Sequence, residues 1–247
     1  MTVFVTEKSI NGVLCALFKS FTEKIIPDDV TDGKIFQPKL GDVLIKIFTD
    51  EKNAERVQTA LVKYGGYYVT DSLKTCLSSG NDKAMLIAFN FAYKTLAARK
   101  NVYANLSDPI VSEFVFTERK VRSEIHLMKG FLRFRESAGG VIYARYSPDN
   151  DITESLAPHF LKRFSGLPFI IHDVKRGRLA ISDGFRLKFD DTDLKADFKP
   201  SERETEFENL WKRYYKEVNI AERKNERQQN ARMPKRYRRF TPEAYEE

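Results

Sequence analysis

The segment from Glu124 to Arg135, EIHLMKGFLRFR, decides how the second half of this chain is read. It packs one histidine, one lysine, two arginines and two phenylalanines around a single glycine. Such a run is too charged for a buried core and too aromatic for an ordinary solvated surface. The three histidines of the chain lie in this segment or shortly after it, at His126, His159 and His172. If the chain has a working site, we expect it in this region.

Hydrophobic periodicity divides this segment into a helix and a strand. A Ser-Asp-Pro sequence at 107–109 is typical of a helix start, and the helix is predicted to run to about Met128 and to end at Gly130. Residues 131–135 and 141–146 then predict two strands joined by a turn that contains two glycines. The alternation places Phe131, Arg133 and Arg135 on one face of this hairpin.

The order of elements along the whole chain predicts an α+β fold. Residues 1–105 read as a small α/β unit followed by helices, with a loop from Pro27 to Pro38. Residues 106–200 are predicted to form a central antiparallel sheet of α-β-β-α-β-β order, and residues 201–247 a C-terminal helix and a basic arm. Four residues are expected to bury one face of that C-terminal helix: Phe207, Leu210, Trp211 and Tyr214.

Positive charge is concentrated in two segments. The chain of 247 residues has a net charge of +7, while residues 119–178 hold 12 Lys/Arg against 6 Asp/Glu and residues 223–240 hold 8 against 1. Cations interleaved with Phe and Tyr are what neutralising phosphates and stacking on bases require. An ordinary basic surface without a ligand would show the same charge, so composition leaves both interpretations open.

Several classes of protein are not indicated. No apolar run is long enough to span a membrane and the N-terminus does not read as a secretory leader, so we expect a cytoplasmic protein without membrane contact. Cys15 and Cys76 lack the spacing of a metal or disulfide motif. Glycine-rich phosphate loops are absent, and the histidines lack H-x-H or H-x-x-x-H spacing. We therefore predict neither a cofactor nor a metal.

Nucleic-acid binding is the first functional hypothesis. The helix and the hairpin would place Lys129, Arg133, Arg135 and Arg145 on phosphates, with Phe131 or Tyr143 on bases. Further candidates, some from the blocks compared below, are Arg163, Lys175, Arg176, Arg178, Arg223, Asn225 and Arg236. The structural alternative is that the arginines pair with Glu124, Glu136 or Asp173 and bind nothing.

Catalysis by histidine is the second hypothesis. Imidazole titrates near neutrality, so His126, His159 or His172 could serve as an acid or base beside neighbouring cations. His172 and Asp173 are adjacent, but neighbours on a strand project to opposite faces and do not by themselves form a catalytic pair. Structural histidines are the competing interpretation.

Four blocks of sequence resemble one known family. They are EIHLMKGFLRF at 124–134, PHFLKRF at 158–164, IHDVKR at 171–176 and LWKRYYKEVNIAERKNERQQNARMPKRY at 210–237. In this order they are similar to the signature blocks of a bacterial family of uncharacterised proteins described as DNA metabolism or repair proteins. Members are typically encoded beside a radical S-adenosylmethionine protein, and some are fused to a uracil-DNA glycosylase domain. The chain departs from the family at Val5 to Lys8, where the family has Tyr-Asp-Gly.

The resemblance implies a DNA-binding accessory that serves a radical enzyme or a glycosylase. The alternative is an enzyme that acts directly on a nucleic-acid base or backbone with a histidine acid or base. A scaffold that meets an acidic protein is a weaker third class. With two cysteines the chain cannot itself hold a three-cysteine cluster, so the resemblance assigns that cluster to the partner.

Overall fold

The computed structural model describes residues 1–34, 36–191, 199–218 and 225–241. The fold is α+β, as the order of elements predicts. The chain forms two compact units, residues 1–123 and 124–247, called here the N-terminal and C-terminal units. Within the described ranges, no helix is both long and apolar enough to cross a bilayer.

The N-terminal unit combines a small parallel sheet with helices. Its elements are β1 (Thr2–Val5), α1 (Ile10–Glu23), β2 (Asp29–Thr31), β3 (Val43–Lys46), α2 (Glu51–Gly65), α3 (Val69–Leu77), α4 (Ala84–Ala98) and the first turns of α5 (Pro109–Phe131). The strands pair in the order β2-β1-β3 and are all parallel. β2 lies inside the segment predicted to be a loop, so that prediction is wrong for three residues. A strand this short carries almost no periodic signal.

Side-chain caps begin α1 and α2, and apolar packing holds the helices of this unit together. Ser9 accepts a hydrogen bond from Gly12 N at 3.0 Å at the start of α1, and Asp50 accepts one from Asn53 N at 2.8 Å at the start of α2. The core is apolar, with mainly aliphatic side chains and a few phenylalanines. The rings of Phe91 and Phe114, for example, stack with their centroids 3.8 Å apart.

Helix α5 continues through the glycine that was predicted to end it. Its last residue is Phe131, and Leu132 N donates to Met128 O at 3.1 Å beyond it. Gly130 does not have a positive φ, so it makes no left-handed C-cap. A glycine inside a helix costs only about 1 kcal/mol relative to alanine, and burial of Met128 and Leu132 outweighs it. The predicted strand at 131–135 is therefore wrong, and only its last residue joins the sheet.

The C-terminal unit is built on a five-stranded sheet. Its elements are β4 (Arg135–Glu136), β5 (Ile142–Tyr146), α6 (Thr153–Arg163), β6 (Phe169–Asp173), β7 (Arg178–Ser182), β8 (Leu187–Asp190), α7 (Glu202–Val218), α8 (Glu226–Arg232) and α9 (Lys235–Arg238). The strands lie in the order β4-β5-β6-β7-β8. The predicted α-β-β-α-β-β order is confirmed as far as β7, and β8 is a further strand that was not predicted. The prediction of a purely antiparallel sheet is wrong. β5 and β6 are parallel because the chain between them crosses over through α6.

The two faces of this sheet differ in character. On one face, rings from α6 pack against Phe169 of β6, and Phe134 lies 4.8 Å from both Phe160 and Phe164. Alternation along the strands places Arg135, Tyr143, Arg145 and His172 on the other face.

Helix α7 does not bury the stripe that its sequence predicts. Phe207, Leu210 and Tyr214 are exposed, and Trp211 is half-buried. The helix is instead attached to β4 by polar contacts of Glu204 and Glu208. The prediction of a buried apolar face on this helix is therefore wrong.

Candidate nucleic-acid interface

A buried carboxylate organises the C-terminal unit. Glu124 accepts hydrogen bonds from Asp149 N at 2.7 Å, Asn150 N at 2.9 Å and Asn150 Nδ2 at 2.6 Å. Tyr237 Oη donates to the same carboxylate at 2.6 Å. Burial, reinforced by this carboxylate, raises the pKa of Tyr237. Glu124 thus fixes the loop at 147–151 and docks the C-terminal arm, since buried charges are stable only when they are hydrogen-bonded.

A second buried carboxylate holds the same loop from β6. Asp173 is fully buried and accepts from Arg176 Nη1 at 2.9 Å and from Lys175 N at 3.0 Å. Arg176 also donates to the carbonyl oxygens of Pro148 at 3.1 Å and Asp149 at 2.7 Å. Arg176, a predicted nucleic-acid ligand, therefore donates its hydrogen bonds to Asp173 and to the 147–151 loop.

Three other predicted arginines also have carboxylate partners. Arg135 pairs with Glu208 of α7, and Arg236 Nη2 lies 2.9 Å from Asp149 Oδ2. Arg178 pairs with three acids: Asp151, Glu154 and Asp191. The sequence indicated Glu124, Glu136 and Asp173 as acids that could pair with the arginines, and the structure shows such a pair for Arg176 and Asp173. The acids that pair with the other three arginines are ones the sequence did not indicate.

A different set of cations has no such partner. In the part of the chain that the structure describes, no carboxylate forms an ion pair with Lys129, Arg133, Arg145, Arg163 or Lys175. Arg133 Nη1 donates to Gly130 O at 2.8 Å at the C-terminal end of α5, where a cation is favourable. The side chains of Arg133 and Arg145 are exposed. These positive charges remain available to an anion.

Arg133 and Arg145 line one shallow depression together with aromatic rings. Its walls include Phe131, Tyr237 and Phe240. The guanidinium groups of Arg145 and Arg239 lie 5.8 Å and 4.6 Å from the Phe240 ring centre. The basic-aromatic surface is defined here by six residues: Phe131, Arg133, Arg145, Tyr237, Arg239 and Phe240.

Half of this surface comes from the C-terminal arm. The site candidates chosen from sequence do not include Tyr237, Arg239 or Phe240. The run RYRRF at 236–240, which alternates cations with aromatic rings, is the signal that could have identified them. Of the remaining arm candidates, Asn225 caps α8 by accepting from Gln228 N at 3.0 Å. Arg223 lies outside the described residues.

The three histidines lie on different elements. His126 is exposed on α5, while His159 is half-buried on α6 with its ring 5.0 Å from Phe160. His172 is buried on β6, where its Nδ1 lies 2.8 Å from Tyr143 Oη. Because α6 packs on the Phe169 face and His172 projects from the opposite one, His159 and His172 lie on opposite sides of the sheet.

His159 has a cationic environment. Burial lowers its pKa, and the charges of Lys129 and Arg163 lower it further. Burial also raises the pKa of Tyr143, the hydrogen-bond partner of His172. Among the described residues, no group of three or more His, Cys, Asp or Glu side chains is arranged to hold a metal ion.

The C-terminal unit is thus an α+β module with a carboxylate-braced framework and a separate basic-aromatic surface. The chain belongs to the family defined by a domain of unknown function, DUF4130, whose model matches residues 82–243. The four blocks quoted above all lie within the matched residues. No curated protein and no solved structure matches the chain.

Proposed function

We propose that the C-terminal unit binds DNA through the basic-aromatic surface and that the protein is a cytoplasmic accessory in DNA repair or modification. The observation that carries the proposal is the convergence of Arg133 and Arg145, without carboxylate partners, on a depression lined by aromatic side chains. The family resemblance supports the wider context, in which a radical S-adenosylmethionine protein or a glycosylase acts on the bound DNA.

The chemistry of the surface suits a nucleic acid. Guanidinium groups bind phosphate oxygens with two hydrogen bonds, and each neutralised phosphate releases counterions. Exposed parts of Phe131 and Phe240 offer apolar contact to bases or sugars beside these cations. The carboxylate network behind the surface holds the 147–151 loop and the arm in place, so little ordering is required on binding.

The test is DNA binding measured by fluorescence anisotropy at several salt concentrations. Replacing Arg133 and Arg145 together by Ala should weaken binding about tenfold or more near 0.1 M salt and lower the salt slope by about 2. The matched control is Arg186→Ala with Lys188→Ala, which removes two exposed charges around β8, at the other edge of the sheet. Equal losses in both double variants, or none in the first, would contradict the proposal.

The partner requires a separate measurement. Both cysteines are buried, so the chain offers no thiolates for an iron-sulfur cluster. Mixing the purified protein with a radical S-adenosylmethionine protein of the kind that the family resemblance implies should give a complex in size-exclusion chromatography. Two separate peaks at micromolar concentrations, with and without DNA, would remove this part of the proposal.

A second candidate function rests on His159. A lowered pKa keeps its imidazole neutral at pH 7, and Lys129 and Arg163 could hold a phosphate beside it. That arrangement suits a general base acting on a nucleic-acid substrate. His159→Gln should then keep the fold and the DNA affinity of the protein but abolish turnover of a lesion-bearing oligonucleotide. A wild-type protein that is inert on every such substrate, alone and with the partner, would count against it.

A further inference from the structure

Helix α7 presents an apolar stripe to solvent. Phe207 and Leu210 are each 63% exposed, Tyr214 is 57% exposed and Val218 is 54% exposed. They follow one another at intervals of three, four and four residues, so they form a single row along the helix. A contiguous row of large apolar side chains is uncommon on a monomeric surface and marks a site of association.

Polar contacts on an adjacent side of the helix turn this stripe outward. Glu208 pairs with Arg135, and Glu204 accepts from Glu136 N at 3.0 Å. Ser201 Oγ accepts from Glu204 N at 3.0 Å and so caps the first turn. α7 is therefore held to β4 through its carboxylates, and the stripe is not available to the sheet beneath.

The charges around the stripe have a symmetric arrangement. Arg203 lies seven residues before Leu210 and Glu217 lies seven residues after it, so both extend the same row. Glu206 and Arg213 lie beside the row, Glu206 on the N-terminal side of Leu210 and Arg213 on its C-terminal side. All four charged side chains are exposed. Two copies of this row placed antiparallel would therefore bring opposite charges together at both ends.

We propose that α7 pairs antiparallel with α7 of a second copy of this chain, with Leu210 at the two-fold axis. In this alignment Phe207 faces Tyr214 of the second copy, and Arg203 faces Glu217 of the second copy. Glu206 lies beside Arg213 of the second copy. Each contact occurs twice because a two-fold interface uses the same surface on both subunits.

The charges on α7 favour an antiparallel pair over a parallel one. Parallel helices in register would place Arg203 against Arg203 and Glu217 against Glu217, and like charges at close range repel. The helix has 17 residues and is roughly 25 Å long. A single pair of this length is at or below the small end of specific interfaces, so the expected dissociation constant is about micromolar.

The first test is sedimentation of the full chain over a concentration series. Leu210→Asp should abolish the dimer. Arg203→Glu should raise the dissociation constant about tenfold, since it opposes two pairs of carboxylates. Arg203→Glu with Glu217→Arg should restore the dimer, because the exchanged charges again attract. The control is Lys188→Glu, a charge reversal at an exposed side chain of β8, which should change nothing.

The exchange of charges at positions 203 and 217 should not lower the stability of α7, so a failure to dimerise could not be attributed to an unfolded helix. Glutamate near the N-terminus and arginine near the C-terminus both suit the helix dipole, so the exchange favours the helix itself. Far-UV circular dichroism should confirm unchanged helicity in every variant. The chain has one tryptophan, Trp211, which lies on α7 and reports the same equilibrium by fluorescence.

Cross-linking tests the direction of the pair. Arg203→Cys mixed with Glu217→Cys should form a disulfide between copies, whereas Arg203→Cys alone should not. The native cysteines are buried and do not interfere. The proposal is wrong if the chain stays monomeric up to about 100 µM, if the double exchange fails to restore the dimer, or if Arg203→Cys alone cross-links. None of these variants alters the basic-aromatic surface, so DNA binding is tested independently.

Discussion

The two units stabilise their interiors in different ways. The N-terminal unit has an apolar core, typified by the stacked rings of Phe91 and Phe114. Each unit also buries hydrogen-bonded carboxylates. In the N-terminal unit Glu118 accepts from Tyr103 and Arg122 of the same unit, whereas in the C-terminal unit Glu124 and Asp173 accept from the 147–151 loop, the arm and Arg176. A buried charge is destabilising when it loses its hydrogen-bond partners. Glu124 and Asp173 therefore fix one position of the 147–151 loop, and removing their partners should greatly lower the free energy of unfolding.

This comparison shows why charge content alone is a poor guide to the site. Arg176 belongs to the framework because Asp173, three residues before it, and the carbonyls of the 147–151 loop hold it, and Arg178 because Asp151 and Glu154 reach it. Arg133 and Arg145, with the same side chain, remain on the surface. The charged residues of the C-terminal unit therefore divide into structural and ligand-accessible sets, and only the fold separates them.

The largest expected effect is in the apolar core of the N-terminal unit. Phe91→Ala removes a ring stacked on Phe114 and should lower the free energy of unfolding by about 3–5 kcal/mol. Hydrogen exchange followed by mass spectrometry should locate the loss in peptides of residues 1–123. The control, Phe116→Ala, removes a ring that is 61% exposed and should change little. Comparable losses from both would mean that this core is not as packed as described.

Next in size is the carboxylate network of the C-terminal unit. Glu124→Gln turns an amide group toward backbone N–H donors and should cost about 2–4 kcal/mol, because buried groups lose their partners. Protection should fall in peptides that cover the 147–151 loop. Glu55→Gln, on an exposed side chain of α2, is the control. A change below about 0.5 kcal/mol for Glu124→Gln would reduce the network to a surface feature.

A smaller effect is expected where the arm docks. Tyr237→Phe keeps the ring against Phe131 but removes the hydroxyl that donates to Glu124 at 2.6 Å. One such hydrogen bond to a charged group contributes about 1.5–3 kcal/mol at most, and repacking should reduce the loss to about 1 kcal/mol. Limited proteolysis at 225–241 should become faster. Unchanged cleavage would show that the arm docks through its apolar contacts alone.

The smallest effect is a difference in alkaline stability. Burial raises the pKa of Cys76 from 9.0 to about 12, and burial with the Glu118 hydrogen bond raises the pKa of Tyr103 from 10.0 to about 12. The unfolded chain loses these protons first, so the stability of the N-terminal unit is complete below pH 9 and declines up to about pH 12.

The C-terminal unit should begin its decline later. Its tyrosines Tyr146 and Tyr237 also have raised pKa values but start from 10.0, so the loss begins near pH 10. Hydrogen exchange at pH 8, 9.5 and 11, corrected for the intrinsic rate, should separate the two onsets. Cys76→Ala should move the first onset to about 10; an onset that stays at 9 would assign it to another group.

Local features of the fold were predictable because their causes are local. The caps at Ser9 and Asp50 lie within three residues of the N–H groups they accept from. The order of strands and helices in the C-terminal unit followed from periodicity as far as β7. The prediction that Gly130 ends α5 was wrong because a glycine C-cap needs a left-handed backbone conformation, which glycine permits but does not impose.

The site was predictable only in part. Arg133 and Arg145 were predicted as nucleic-acid ligands on one hairpin, but Arg133 follows the end of α5 and only Arg145 lies on a strand. Their surface is completed by Tyr237 and Phe240, about a hundred residues later. The exposed stripe of α7 was predicted to be buried, since amphipathic spacing shows that a face exists but not what it contacts.

By itself the sequence determined the α+β class, most of the helices and strands, and the concentration of cations and aromatic rings in the second half. Only the tertiary structure decided that β5 and β6 run parallel, that Glu124 binds Tyr237, and that Arg135 faces Glu208 while Arg145 faces solvent. The physical reason is range. Helix and strand patterns depend on neighbours a few residues apart, whereas the partner of a charge is chosen by the fold.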